Sequence, residues 1–261
     1  MERKLLLLIV SAWGILGTFP LDLCAVSESG SSNLETNEMT TLQPSHEASS
    51  LRLIPFPKKV QMNAGGFRLN RTLLVETSTR NGAILGERIA EELERVGLAK
   101  PQIKTVESTS PIFRLLAEET PVISPLVFQT KIAEQGYRLW VEPHKVTVQS
   151  PGEEGLVYGV QTLCQLIRAN CSGDAIPCLR IEDWPSIGWR AFQDDLTRGP
   201  STQLDVLKRE IALGSYLKMN IFTYYMEYQF AHSKHPKIGP EDGSLTSDEL
   251  RQLVAYGAPL H

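Results

Sequence analysis

The sequence predicts an α/β protein in two parts: an α+β leading domain with a sheet and two helices, then the beginning of a (β/α)8 barrel. Two observations carry this prediction. After residue 50 the chain contains short segments in which apolar and polar residues alternate, which is typical of strands. Between them lie segments in which apolar residues recur at the spacing of a helix. After Pro185 the order becomes strand, helix, strand, helix, which is the repeat of a parallel sheet.

The leading domain is expected over residues 51–185. Its predicted elements are two strands flanking an Asn70–Arg71 turn, a helix over 83–96, a strand over 112–117, a hairpin over 137–148, a helix opening at Gly155 and a strand near 179–181. The first helix is indicated by Leu85, Ile89 and Leu93, which share one face. Gly97 follows as its C-terminal stop.

The second part is expected over residues 186–261. Its predicted elements are a strand over 189–196, a helix capped by Ser201 or Thr202, a strand over 219–227 and a helix opened by a Thr246–Glu249 capping box. A complete barrel takes roughly 250 residues. We therefore expect this chain to be an N-terminal fragment of a longer product.

Composition excludes several classes of protein. The chain has 261 residues, with 26 Lys and Arg against 30 Asp and Glu, and no basic stripe that would indicate a nucleic-acid partner. Its four cysteines include no CxxC zinc spacing and are too few for a disulfide scaffold. No apolar run after residue 25 is long enough to cross a membrane. We expect neither a metal nor a cofactor.

The N-terminal residues have the pattern of a targeting segment. Basic residues precede an apolar run from Leu5 to Phe19, which predicts a signal peptide over residues 1–25 and an exported protein, periplasmic, secreted or surface-associated. Acylation of Cys24 after cleavage is a minor alternative. Residues 26–50 are rich in Ser, Thr, Glu and Asn, so they are expected to form a flexible linker.

Polar residues in the two strands of the second part are the candidates for a site. The first strand carries Arg190, Gln193, Asp194, Asp195 and Arg198. In the second, Thr223, Tyr225 and Glu227 share a face, and Glu227 lies at the carboxyl end. In barrels, polar side chains at the carboxyl ends of strands usually belong to the active site. The alternative is an internal salt-bridge network of Arg198 with Asp194 or Asp195.

Other candidate groups have weaker patterns. His232 and His235 lie three apart without a third ligand at convincing spacing, which favours a solvated loop over a metal site. Cys171 and Cys178 could form a disulfide in an exported protein or be two buried thiols, and Cys164 leaves an odd count.

Several segments resemble family 20 glycoside hydrolases, the β-N-acetylhexosaminidases. The segments are Leu53–Val60 with Gly66–Phe67, Gly136–Leu139 running through to Gly155–Leu163, Ile181–Pro185 and Trp189–Arg190. The segments up to Leu163 resemble that family's non-catalytic leading domain. Ile181–Pro185 and Trp189–Arg190 resemble the entry to its catalytic barrel. The resemblance covers residues 51–261.

This resemblance implies a reaction and a substrate class. Family members remove terminal N-acetylglucosamine or N-acetylgalactosamine with retention, and the substrate's own acetamido oxygen attacks the anomeric carbon. An Asp–Glu pair after the fourth strand orients the acetamido group and supplies the general acid. Here that pair is expected beyond His261, so we expect no catalytic residue in this chain, no activity of it alone, and N-acetylated amino-sugar glycans as partners of the full product.

The resemblance also implies binding residues. Arg190 matches the family arginine that binds sugar hydroxyls, a task that suits a guanidinium fork. Asp195 and Glu227 are the other candidates for substrate binding. After the second strand many members carry a His-containing, Asp-rich sequence, whereas this chain has Tyr224–Tyr228, so Glu227 is not expected to be the general acid.

Two other hypotheses for the function stay open at this point. Glycosidases of other families, O-GlcNAcase-like or α-glucuronidase-like, also place a small α/β domain before a barrel. A non-catalytic carbohydrate-binding or scaffold protein could retain the leading domain without the barrel. An Asp–Glu pair at the end of a fourth strand would favour the hexosaminidase.

Overall fold

The computed structural model describes residues 48–78, 81–106, 112–116, 133–198, 202–240 and 243–260. They form a leading domain and a second unit, each made of strands and helices, so the predicted α/β class is confirmed. The expected signal peptide, most of the linker, Cys24 and Ser201 lie outside the described residues.

The chain forms nine strands and four helices in these ranges. The leading domain contains β1 (Lys59–Arg68), β2 (Leu74–Thr77), α1 (Gly82–Arg95), β3 (Gln102–Thr105), β4 (Ile112–Leu116), β5 (Tyr137–Val141), β6 (Lys145–Gln149), α2 (Glu153–Ala169) and β7 (Ala175–Asp183). The second unit contains β8 (Ala191–Asp195), α3 (Leu204–Tyr216), β9 (Ile221–Tyr225) and α4 (Ser247–Gly257). Short 3-10 turns lie at Ala48–Ser50, Ala133–Gln135 and Ala258–Leu260.

The leading domain is one seven-stranded sheet with the order β1-β7-β5-β6-β4-β2-β3. Its pairs are antiparallel except for β2 with β3. The strands on either side of the predicted Asn70–Arg71 turn therefore do not pair with each other, because β1 lies at one edge of the sheet and β2 near the other. Sequence patterning did not predict β3, an edge strand whose four residues are all exposed.

Helix α2 is the centre of the leading domain. The sequence predicted that a helix opens at Gly155, and in the structure every residue from Gly155 to Ile167 is buried. The reason is that α1 and α3 pack against the sides of α2 that the sheet leaves uncovered. Gly159 permits the close approach to the sheet, since a Cβ there would lie 2.3 Å from Cγ1 of Val148.

The second unit pairs β8 with β9 in parallel and packs α3 and α4 against them. The predicted capping box of α4 is confirmed: Thr246 Oγ1 accepts a hydrogen bond from the Glu249 N–H, and the Glu249 carboxylate accepts one from the Thr246 N–H. The predicted cap of α3 is wrong, because that helix begins after Gln203 without a side-chain cap.

The three described cysteines are free thiols, so Cys171 and Cys178 are not bridged. The Cys171 thiol instead donates to the carbonyl oxygen of Ile167 at 3.0 Å. None of the helices in the described part of the chain combines the length and apolar character that crossing a membrane requires.

Candidate functional site

The carboxyl ends of β8 and β9 form one polar edge of the second unit. The strands are parallel, and Asp195 lies opposite Tyr225 in their register. The Leu196 N–H donates to the Tyr225 carbonyl at 3.0 Å and extends the pairing past Asp195. Glu227 follows two residues after the end of β9, so the structure brings Asp195 and Glu227 to the same edge, as the sequence predicted.

Asp195 is held as an ionised carboxylate. Its Oδ1 accepts hydrogen bonds from the Thr197 hydroxyl at 2.6 Å and from the Thr197 N–H at 3.0 Å, and its Oδ2 accepts one from Arg198 Nε at 3.2 Å. The bonds from Thr197, and after them Arg198, lower the pKa of Asp195. The Arg198 side chain is 80% exposed, so the alternative salt bridge exists at the surface and not as an internal network.

Glu227 is turned back toward β9 by an unusual backbone conformation. Its φ of 40° lies in the left-handed region, which a non-glycine residue rarely adopts. The Tyr225 hydroxyl donates a hydrogen bond to the Glu227 carboxylate. That bond is the main reason why the pKa of Tyr225 is raised, and the charges of Glu227 and Asp195 add to it. The four side chains of this edge, which we call the edge cluster, are Asp195, Arg198, Tyr225 and Glu227.

The edge cluster is suited to bind hydroxyl groups. Its two carboxylates accept hydrogen bonds, and its exposed guanidinium donates them. It does not contain an adjacent Asp–Glu pair. The Asp–Glu sequence at Asp248–Glu249 opens α4, where the Glu249 carboxylate caps the helix.

Asp194 lies on the other face of β8, toward α3. Its charge raises the pKa of Glu210 after the larger effect of burial, and it also contributes to the raised pKa of Tyr224. The Tyr224 hydroxyl is buried and donates to the Leu207 carbonyl at 3.3 Å. Asp194 therefore belongs to the packing of α3 and not to the edge cluster.

Arg190 lies one residue before β8, at the amino end of the strand. Its Nε donates to the Lys218 carbonyl at 2.6 Å, and its Nη1 donates to the Ile187 carbonyl at 2.8 Å and to Gln135 Oε1 at 3.0 Å. The guanidinium carbon lies 4.9 Å from the ring centroid of Tyr158. The structure therefore separates Arg190 from Asp195 and Glu227, and its role in binding sugar hydroxyls stays a prediction.

Lys218 forms a buried ionic contact that the sequence did not reveal. Its Nζ donates to the Tyr137 hydroxyl at 2.9 Å and to Asp183 Oδ2 at 3.2 Å. The Tyr137 hydroxyl also donates to Asp183 Oδ2, at 3.0 Å. Burial lowers the pKa of Lys218, and the Asp183 carboxylate opposes that shift. We call Lys218, Asp183 and Tyr137 the clasp, because they join the second unit to the leading domain.

In the structure, one local feature of the backbone marks Lys218 as unusual. Lys218 follows the end of α3 with a φ of 64°, in the position after a helix where glycine is usual. A lysine in that position indicates that its side chain has a structural role which offsets the backbone strain.

The described residues hold no group of three His, Cys, Asp or Glu side chains placed to bind a metal. His232 packs edge-on against the ring of Phe230, with a centroid distance of 4.9 Å.

Comparison with known proteins gives one family and several relatives. Residues 50–184 match the family described as glycosyl hydrolase family 20, domain 2. A beta-N-acetylhexosaminidase of Cellulomonas fimi is 30% identical over 158 residues, which cover 59% of this chain and 30% of that protein. A beta-hexosaminidase of Akkermansia muciniphila is 32% identical over 142 residues, which cover 47% of this chain and 28% of that protein. The chain thus spans less than a third of either relative.

Solved structures show a similar fold. An N-acetyl-beta-hexosaminidase of Streptomyces plicatus aligns with a TM-score of 0.63 at 22% identity, over 84% of this chain and 45% of that one. A chitobiase of Flavobacterium johnsoniae aligns with a TM-score of 0.61 at 21% identity, over 83% of this chain and 34% of that one. At these identities the likeness establishes the fold alone.

Proposed function

The chain belongs to glycosyl hydrolase family 20, and we propose that the protein is a retaining exo-β-N-acetylhexosaminidase that removes terminal N-acetylglucosamine or N-acetylgalactosamine from glycans. The observation that carries this proposal is the match over residues 50–184, followed directly by a parallel strand–helix repeat. The two relatives named above, both described as hexosaminidases, support it.

In this proposal the second unit supplies the first two strand–helix repeats of a (β/α)8 barrel. Active sites of such barrels lie at the carboxyl ends of the strands, which is where the edge cluster lies. We assign to Asp195 and Glu227 the role of accepting hydrogen bonds from sugar hydroxyls, and to Arg198 the role of donating them. Arg190 lies at the opposite end of β8, and we assign it to the junction between the two units.

The proposed hydrolysis uses the acetamido oxygen of the substrate as nucleophile. It also needs a general acid to protonate the leaving oxygen. We propose that an Asp–Glu pair supplies it; neither carboxylate of the edge cluster belongs to such a pair, and Glu249 caps α4. On this proposal we expect the 261-residue chain alone to show no turnover. We also propose that residues 1–25 direct export.

The activity is tested with the full-length protein. We expect hydrolysis of aryl N-acetyl-β-glucosaminides or galactosaminides, inhibition by a thiazoline mimic of the cyclised intermediate, and little cleavage of the plain aryl β-glucoside. The reason is that substrate assistance needs the acetamido group. Equal rates on the plain glucoside and the N-acetyl sugar would contradict the proposal.

Two arginine variants test the assignment of the edge cluster. Arg198→Ala is expected to lower kcat/KM by about 10- to 150-fold, because a hydrogen bond to a charged group contributes about 1.5–3 kcal/mol. Its melting temperature should change little, since the side chain is exposed. Arg190→Ala is the matched control, and it should lower the melting temperature instead. The opposite result, with activity lost only in Arg190→Ala, would return Arg190 to the substrate site.

A further inference from the structure

The face of the leading sheet that points away from α1 and α2 reaches solvent on β1, β7 and β5. Along β5, Tyr137, Leu139 and Val141 are buried on the helix side, whereas Arg138 and Trp140 alternate with them and are half-buried on the other side. An open depression of about 320 Å³ lies on this other side. Ligand pockets commonly measure about 300–1,000 Å³. All residues that line the depression belong to the leading domain, so it is separate from the edge cluster.

The strand register arranges six side chains of this face in two neighbouring rows. Members of a row lie opposite one another on β1, β7 and β5; one row is Gln61, Arg180 and Trp140, and the next is Lys59, Glu182 and Arg138. Side chains directly opposite each other have Cβ atoms about 4.5–5.5 Å apart. The two rows lie about 7 Å apart, because each strand rises about 3.4 Å per residue. These six side chains, which we call the sheet-face patch, therefore form one continuous surface.

The charges of the sheet-face patch favour an anion. It contains three cations and one carboxylate, that of Glu182. Glu182 accepts hydrogen bonds from Lys59 Nζ at 3.3 Å and from Arg138 Nε at 3.1 Å. Arg180 is exposed, and its guanidinium makes no hydrogen bond or ion pair with the described residues. An exposed guanidinium fork of this kind is suited to take both oxygens of a carboxylate.

Trp140 adds a flat apolar surface directly beside Arg180. The two residues are opposite partners in the register of β5 and β7, and both line the depression. A pyranose ring has a face of C–H groups that can pack on an aromatic ring, and hydroxyls at its rim that need donors and acceptors. Gln61, exposed on the far side of Arg180, offers both a donor and an acceptor. An aromatic surface, a free guanidinium and an amide in one row match a sugar that carries a carboxylate.

We propose that the sheet-face patch binds an acidic glycan, one that carries carboxylates on uronic-acid residues. Arg180 holds a uronate carboxylate, and Trp140 packs against a sugar ring of the same chain. The choice of a glycan rests on the proposed function, whereas the choice of an acidic one rests on the charge of the patch. The proposal extends that function by naming acidic glycans as the substrate class and by assigning the leading domain a binding surface of its own.

The test titrates the chain in a calorimeter with a hyaluronan hexasaccharide, in which N-acetylglucosamine alternates with glucuronate. Chitohexaose is the neutral glycan of the same length, and poly-L-glutamate supplies carboxylates without sugar rings. We expect a Kd of about 1 mM or below for the hyaluronan hexasaccharide and at least tenfold weaker binding of the other two probes. Raising the salt from about 0.05 M to about 0.5 M should weaken the hyaluronan binding several-fold, because the charges are exposed.

Three results would overturn the proposal. The first is the absence of saturable hyaluronan binding below about 10 mM. The second is equal binding of chitohexaose, which would remove the need for a carboxylate. The third is equal binding of poly-L-glutamate, which would make the patch a surface for acidic peptides and not for glycans.

Two arginine variants locate the site. Arg180→Gln should weaken hyaluronan binding about tenfold, the lower end for a hydrogen bond to a charged group, because the site is open to solvent. Its melting temperature should change little, since the side chain is exposed. Arg71→Gln is the matched control, because it removes the same charge at an exposed position outside the patch, and it should leave binding unchanged. Equal weakening in both variants, or none in Arg180→Gln, would overturn the assignment.

A third variant tests the aromatic surface. Trp140→Leu keeps an apolar side chain in the row but removes the ring, so hyaluronan binding should weaken about fivefold or more. Unchanged binding in this variant would contradict the packing of a sugar ring on Trp140.

The failure of this proposal can be told from the failure of the proposed function. The titrations measure binding by the chain and need no turnover. A full-length protein that binds the hyaluronan hexasaccharide but does not cleave aryl N-acetyl-β-glucosaminides would support the patch and contradict the glycosidase. Cleavage of the aryl substrate without any hyaluronan binding would support the glycosidase and contradict the patch.

Discussion

The leading domain and the second unit differ sharply in how completely they bury their strands. In the leading domain, Phe67, Phe113 and Leu139 are fully buried, because α1 and α2 cover one face of a seven-stranded sheet. In the second unit every position of β8 is exposed or half-buried, and Phe192 is 37% exposed. Among the described residues β8 and β9 pair with each other and with no further strand.

The buried strands of the leading domain contribute stability, whereas the exposed strands of the second unit offer polar groups for chemistry. The face of β8 and β9 that α3 leaves uncovered carries Gln193, Asp195, Thr223 and Tyr225, which are polar groups suited to contact a ligand. Inside the leading domain such residue types are costly unless they are hydrogen-bonded, as the buried Tyr137 hydroxyl is to Thr162 and Asp183. The second unit therefore depends on its neighbour for order. The clasp, the bond from Arg190 to Gln135 and the packing of α3 against α2 all contribute to this.

Hydrogen exchange should show the largest contrast between the two regions. We expect amides of β5 and β7 to exchange about 10³-fold more slowly than those of β8 and β9, which corresponds to about 4 kcal/mol of extra protection. The reason is that few buried apolar contacts hold the two-stranded sheet. Mass spectrometry of exchange on the whole chain measures this, and uniform protection through residue 260 would contradict the comparison.

The clasp should give the next largest effect, because it couples the two regions. Lys218→Met leaves the Asp183 carboxylate buried without its cation, which costs about 3–5 kcal/mol of unfolding free energy. Urea denaturation measures this loss. Lys234→Met is the matched control in an exposed loop and should change stability by less than about 0.5 kcal/mol.

A double variant then isolates the pairwise interaction. Lys218→Met combined with Asp183→Asn should cost less than the two single changes added together, since no uncompensated charge remains. Additive losses would show that Lys218 and Asp183 act independently and that the clasp is not a unit.

Local patterns predicted the parts of the fold that local interactions determine. Helix α1 with its Gly97 stop, the β5–β6 hairpin and the capping box of α4 all follow from residues near each other in sequence, and each is confirmed. The order of the strands could not be predicted in this way, because β1 pairs with β7 across more than a hundred residues.

The candidate site was predicted only where it, too, follows from residues near each other in sequence. Alternation along β9 and the parallel order of strands brought Asp195 and Glu227 to one edge, as expected. Arg190 was expected within a strand beginning at Trp189, but β8 begins at Ala191, so Arg190 precedes the strand and contacts the leading domain. The clasp joins residues from three distant segments, and no sequence spacing indicates such a contact.

The smallest expected effect concerns a single carboxylate of the second unit, that of Asp195. Thr197→Val removes the hydroxyl that makes the largest contribution to the lowered pKa of Asp195, so that pKa should rise toward its ordinary value. A carboxylate with a lowered pKa stabilises the folded state above its unfolded pKa, and this contribution disappears as the pH falls through the folded pKa. The variant should therefore lose stability at any pH above the unfolded pKa of Asp195 and match the parent protein below the folded pKa. The loss should be slight, because Asp195 is exposed to solvent screening. Carbon NMR of the Asp195 carboxyl carbon follows the titration, with Thr197→Ser as the control that keeps the hydroxyl. An unchanged titration in Thr197→Val would mean that the backbone N–H and Arg198 alone hold the carboxylate, and that the edge cluster is less organised than its geometry indicates.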